Sequence, residues 1–132
     1  IEGTLPNNGK IVTAINIADI VGALTMKGLA LPRLIDKDSY DIYVISGFYG
    51  GNPEKASENY VNCVKKARLT AKERGIIQFS MSRINQAFRS IDSYGILAVS
   101  RFIGTNINSD VYLRVSTFLR NVSSVSFASN EH

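Results

Sequence analysis

Cysteine, histidine and tryptophan are nearly missing from this 132-residue chain, and two of these shortages exclude whole classes of protein. A lone thiol, Cys63, cannot form an intrachain disulfide, so a secreted disulfide scaffold is excluded, and a cysteine-based zinc site lacks its other ligands. One thiol suits a reducing intracellular compartment or a virion. The single histidine, His132, stands at the end of the sequence, where a general base is hard to orient. Cys63 shares an apolar helical stripe and reads as a core residue rather than a nucleophile. The acids are equally unpromising. Glu54 and Glu58 sit at i and i+4 on a solvated face, and Asp36, Asp38 and Asp41 lack the glycine and distal glutamate of a calcium loop. No enzyme activity, metal site or cofactor is expected.

Long uncharged apolar runs are also lacking. The most apolar stretch, residues 11–31, is interrupted by Asn16, Asp19 and Lys27 and holds Gly22 and Gly28. An aspartate near the centre of a spanning helix costs about 2.5–3.5 kcal/mol, so membrane insertion is not expected. Beginning at Ile1 rather than Met, the chain is expected to be processed, trimmed or a fragment. It carries no Walker, dinucleotide-binding, zinc, EF-hand or RNA-recognition-motif signature.

What remains is an ordinary globular composition, 45% hydrophobic and 20% charged. A chain this long buries roughly 65–70% of the surface its unfolded form exposes, enough for one unstapled core. Fifteen Lys and Arg stand against eleven Asp and Glu, a net charge of +4. A basic surplus favours anionic partners such as nucleic acid.

Apolar periodicity predicts a mainly α, small bundle of four to five helices in a single domain spanning residues 1–132. An irregular arm covers 1–10, with Pro6 and Gly9, and a tail covers 123–132. A first helix is expected over 11–28, with Gly28 as its stop and Gly22 and Ala23 leaving room for a neighbour. Residues 53–74 give the clearest helix, with Asn52 as N-cap, Pro53 at the first position, and Gly75 as the stop. Further helices are expected over 76–91, with a seam of Ile77, Met81, Ile84, Phe88 and Ile91, over 93–104, and over 109–122. Residues 39–48 are ambiguous. Tyr40, Ile42, Tyr43, Val44 and Ile45 favour strand, which would pair with 122–127; helix is slightly preferred.

Two features carry functional expectations. The basic residues Lys65, Lys72, Arg83, Arg89, Arg101, Arg114 and Arg120 lie on several helices and could line a phosphate-binding groove. The loop Gly47-Phe48-Tyr49-Gly50-Gly51-Asn52 opens onto a helix N-terminus, where backbone amides can hold an anion; Gly47, Gly50, Gly51 and Asn52 would form it. The leading expectation is a non-enzymatic helical assembly or nucleic-acid-packaging subunit of coat or nucleocapsid type, which self-associates or joins other protein subunits. The alternatives are an accessory subunit of a protein complex without nucleic acid, and a small phosphate- or nucleotide-binding domain using the glycine loop.

Overall fold

Asp19 opens the computed structural model, which describes residues 19–125. Among them stand six α-helices and no strand: α1 (Ile20–Ala30), α2 (Asp36–Phe48), α3 (Pro53–Lys66), α4 (Ala71–Ala87), α5 (Tyr94–Ile103) and α6 (Asn108–Val125). Short 3₁₀ turns lie at Leu31–Arg33 and Tyr49–Gly51. The helical bundle expected from periodicity is the architecture, with six helices rather than four or five. The arm at 1–10 and residues 11–18 of the first expected helix lie outside the described residues.

Local chemistry sets most boundaries. The Asp19 carboxylate accepts from the Gly22 amide at 3.0 Å and starts α1. The Asn52 side chain accepts from the Lys55 amide at 2.8 Å, and Pro53 follows at the first helical position, as the sequence suggests. Gly104, at φ 88°, ends α5 in the left-handed conformation that glycine adopts without a Cβ penalty.

One ambiguity is resolved and three boundaries are corrected. First, residues 39–48 are helix throughout, inside α2, the slightly preferred reading, and the partner of the strand alternative also falls in a helix up to Val125; residues 126 and 127 lie outside the described residues. The strand formers are overruled by position. α2 packs against α1, α3, α5 and α6, and a helix surrounded by neighbours is apolar on many sides. Second, the helix expected over 53–74 ends at Lys66. Thr70 and Glu73 form a capping box that starts α4, so Gly75 lies inside a helix and does not end one. Third, α4 stops at Ala87, so Ile91 is no part of the seam and is 47% exposed. Fourth, residues 123–125 belong to α6 and not to a tail.

The core gathers Ile20, Leu24, Ile42, Tyr60, Ile84, Phe88, Ile96 and Phe118, all nearly inaccessible. α3 meets α6 through Tyr60 and Phe118, whose rings stand edge to face at 5.6 Å. Among the described residues the Tyr60 hydroxyl is buried without a hydrogen-bond partner, and that burial pushes its pKa up. A buried unpaired hydroxyl costs free energy that a phenyl ring does not. Tyr60→Phe is therefore expected to raise stability by about 1 kcal/mol in urea denaturation. A comparable loss would mean that the hydroxyl has a partner after all.

α4 is attached differently from the other helices, chiefly to α1. Gly28, expected to stop α1, instead lies within it, and the close approach expected at Gly22 and Ala23 occurs here. Ser80 of α4 sits over Gly28 and donates from Oγ to the Thr25 carbonyl at 2.8 Å. This crossing orients everything α4 carries on its outer side.

Candidate nucleic-acid interface

Charge is unevenly distributed along the chain. Residues 61–91 hold seven Lys and Arg against one acid, Glu73, while the other 101 residues hold eight basic and ten acidic side chains. The whole basic surplus therefore resides in the end of α3, the turn after it, and α4. The one acid is engaged locally: Glu73 Oε1 accepts from the Thr70 amide at 2.8 Å, closing the capping box.

Each cation in this stretch is placed by its element. Lys65 and Lys66 occupy the last turn of α3, where the helix dipole favours positive charge. Ala67 turns the backbone extended at ψ 139°, and Arg68 projects from the exposed turn. Lys72 and Arg74 fall in the first turn of α4, Arg83 in its last turns, and Arg89 just past its end. None of the seven pairs with a carboxylate among the described residues. At about 100° per residue, Lys72, Phe79 and Arg83 lie within roughly 40° of each other on α4, clear of the buried Ile77, Ser80 and Ile84. Phe79 is 51% exposed, and the Arg83 guanidinium carbon lies 4.6 Å from its ring centroid, a cation–π contact.

Cations elsewhere are mostly matched by acids. Arg101 is exposed but grips Asp36 with two hydrogen bonds at 3.0 and 3.1 Å, and this pairing holds the Asp36 carboxyl below its usual pKa. Arg114 is tied to Asp110, donates to the Gly47 carbonyl at 3.2 Å, and lies 4.2 Å over the Phe48 ring. Asp110 in turn accepts from the Tyr43 hydroxyl at 2.6 Å; burial and this hydrogen bond push the Tyr43 pKa up to about 12. Arg114 thus fastens α2 to α6. Arg120 is exposed on the outer face of α6 with Leu113 and Ser116, and no carboxylate pairs with it among the described residues. Lys65, Lys72, Arg83 and Arg89 thus share one stretch of the chain, while the fold engages Arg101 and Arg114 in ion pairs and leaves Arg120 on a separate helix.

The glycine loop is a tight connection between α2 and α3. Gly50 and Gly51 take φ of 76° and 117°, and Gly47 is buried against the Arg114 side chain. The Asn52 carboxamide already occupies the Lys55 amide, so an anion at this helix end would have to displace it. The acids Asp36, Asp38 and Asp41 are surrounded by Lys27, Arg33, Lys37 and Arg101. Among the described residues, no three His, Cys, Asp or Glu come together as metal ligands could. No helix among them is long and apolar enough to cross a membrane. A shallow groove of about 250 Å³ separates α4 from the end of α6, lined by Gln78, Met81, Ser82, Asn85, Leu119 and Val122 beside Ser123, without an acid or base.

Reading the sequence by helix face passed over Lys66, Arg68, Arg74 and Phe79. Counting charge along the chain finds the first three, and Phe79 is the aromatic residue that falls off the Ile77–Ile84 seam. The fold and the charge distribution define a helical domain with one outward-facing basic helix. No protein-family model, curated protein or solved structure matches the chain.

Proposed function

We propose that this chain is a non-enzymatic nucleic-acid-packaging subunit, of coat or nucleocapsid kind, that contacts phosphates through residues 65–89. The observation carrying this reading is the run of seven cations without carboxylate partners on the end of α3, the turn and α4. Unpaired surface cations condense onto a polyanion and release its counterions, which makes affinity fall steeply with salt. Arg101 and Arg114 have a smaller role in this reading, because they already hold Asp36 and Asp110.

The test is oligonucleotide binding as a function of salt. The logarithm of affinity is expected to fall linearly with the logarithm of salt concentration. Reversing Lys65, Lys66 and Arg68 to Glu should flatten that slope by about 2, at roughly 0.7 per lost phosphate contact on a single strand. Arg101→Ala and Arg114→Ala should leave the slope nearly unchanged. Affinity that ignores salt, or no binding at low salt, would remove the reading.

A second reading, an accessory subunit of a complex without nucleic acid, is favoured by the corner between α1 and α2. Leu34 is 67% exposed and holds a left-handed φ of 59°, which is strained for a residue with a Cβ, and its neighbour Ile35 is 46% exposed. In that case the complex purified from its source would contain other polypeptides and no nucleic acid, and Leu34→Asn would dissociate it.

A further inference from the structure

We infer that the nucleic acid bound here is single-stranded and that one of its bases stacks on Phe79. This inference rests on the nucleic-acid reading and adds to it the form of the strand. Phe79 is the most exposed aromatic side chain among the described residues, at 51%, and it stands in the middle of the longest basic stretch. Leaving half of a phenylalanine in water forfeits roughly 1 kcal/mol of burial, so its placement on the outer side of α4 calls for something to cover it. Its neighbours say what. Arg83 lies over one face of the ring, Lys72 shares the same stripe two turns earlier, and Lys65, Lys66 and Arg68 precede α4 in the chain. An apolar protein surface would meet these charges unfavourably, whereas a base carries both an aromatic face and a phosphate. Among the described residues Arg83 has no carboxylate partner, and its enclosed Nε–H meets no acceptor.

Strand form follows from geometry. In a duplex the base faces are occupied by their neighbours, and a protein helix reaches only edges and backbone. A phenyl ring has no donor or acceptor with which to read an edge. An unpaired strand offers its base faces, and aromatic rings with adjacent cations are the usual platform for it. Phosphates would then lie along Lys72 and Arg83, with the base between them over Phe79.

The chain contains no tryptophan, so Phe79→Trp installs a single reporter at the proposed platform. The full chain carrying it would be titrated with a short oligouridylate and with an RNA duplex of matched length, following emission and fluorescence anisotropy together. Emission is expected to be quenched by the single strand and not by the duplex. Phe79→Ala is expected to weaken the single strand roughly 5- to 150-fold, from about 1–3 kcal/mol per stacked base. Duplex affinity should not change, and Phe79→Tyr should restore single-strand binding where Phe79→Leu does not. Half-exposed as it is, Phe79 can be replaced without opening the core, and circular dichroism checks that each variant is folded. Anisotropy that rises without quenching, or equal losses in Leu and Tyr variants, would overturn stacking while leaving phosphate binding intact. Tighter binding to duplex with Phe79→Ala unaffected would overturn the single-strand assignment. Absence of any binding at low salt would remove the packaging reading and this inference with it.

Discussion

Gly28→Ala is expected to push α4 away from α1 and lower stability by about 2 kcal/mol, or roughly 8 °C in Tm. A methyl group on Gly28 would meet the Ser80 carbonyl oxygen at 2.7 Å, the Ile84 Cδ1 at 3.2 Å, and the Ser80 hydroxyl as well. The carbonyl belongs to the backbone of α4, so no rotamer change relieves the contact. Either the helix shifts, or the hydrogen bond from Ser80 Oγ to the Thr25 carbonyl breaks in a buried place. Alanine gains about 1 kcal/mol over glycine in a helix interior, which offsets part of the loss. Gly75→Ala isolates that gain. Gly75 lies inside α4 with nothing within 4 Å of a new methyl, so the same substitution should stabilise by about 0.5–1 kcal/mol. Thermal melts of the two variants, opposite in sign, test the crossing. Two equal gains would mean that α1 and α4 do not approach closely. Because α4 is held chiefly by α1, this seam also fixes the direction in which Lys72, Phe79 and Arg83 point.

The second large effect belongs to Asp38, whose side chain is only 4% exposed and lies between two cations. Lys27 Nζ approaches it at 3.1 Å and Arg33 Nη2 at 2.9 Å, so this carboxylate joins α1, the 3₁₀ turn and the first turn of α2. Removing it leaves Arg33 without its acid, while Lys27 keeps Asp41 at 2.8 Å. Asp38→Ala is expected to cost about 3 kcal/mol, near the lower end for a broken buried pair, because both cations still reach water. Asp38→Asn should be nearly as damaging, since a carboxamide must turn its NH2 towards one of the two cations. A urea denaturation midpoint for Asp38→Asn equal to the parent's would show that the pairing contributes nothing.

The same cluster sets a pH dependence. Burial opposes ionisation of Asp41, but hydrogen bonds from Lys27 and Lys37 outweigh it, and the pKa falls below 3.8. Such a group stabilises the fold fully above its unfolded value and ceases to do so as pH falls through its folded value. For Lys27, burial disfavours the charge, but Asp41 and Asp38 raise the pKa above 10.5, so its contribution is present below that value and lost as pH rises through the folded one. Asp41→Asn should therefore flatten the acid limb of the stability profile while leaving its shape near neutrality unaltered.

Much of the helical framework could be read from local signals. Asn52 and Pro53 mark the start of α3, Gly104 marks the end of α5, and the stripe of Val111, Val115, Phe118 and Val122 is the buried face of α6. The sequence also signals the break between α3 and α4, through the Thr70-x-x-Glu73 spacing, although the longer apolar stripe conceals it. Tyr40, Ile42, Tyr43, Val44 and Ile45 mislead because β propensity measures fit to a half-buried pleated surface. α2 instead occupies the middle of a bundle, where Ile42 and Tyr43 are buried, Tyr40 and Ile45 pack partly against the core, and Val44 is exposed.

By itself, then, the sequence determined the helical class, the caps at Asn52 and Gly104, the core stripes and the concentration of positive charge in residues 61–91. These depend on neighbours within a few positions, or on counting. Only the tertiary structure decided which cations are taken up by acids, that Gly28 is a crossing point rather than a stop, and that Phe79 stays half-exposed beneath Arg83. The reason is range. Arg101 meets Asp36 across 65 residues, Arg114 reaches the Gly47 carbonyl across 67, and Ser80 covers Gly28 from another helix. No periodicity along the chain encodes such pairings; packing selects them once the helices are in place.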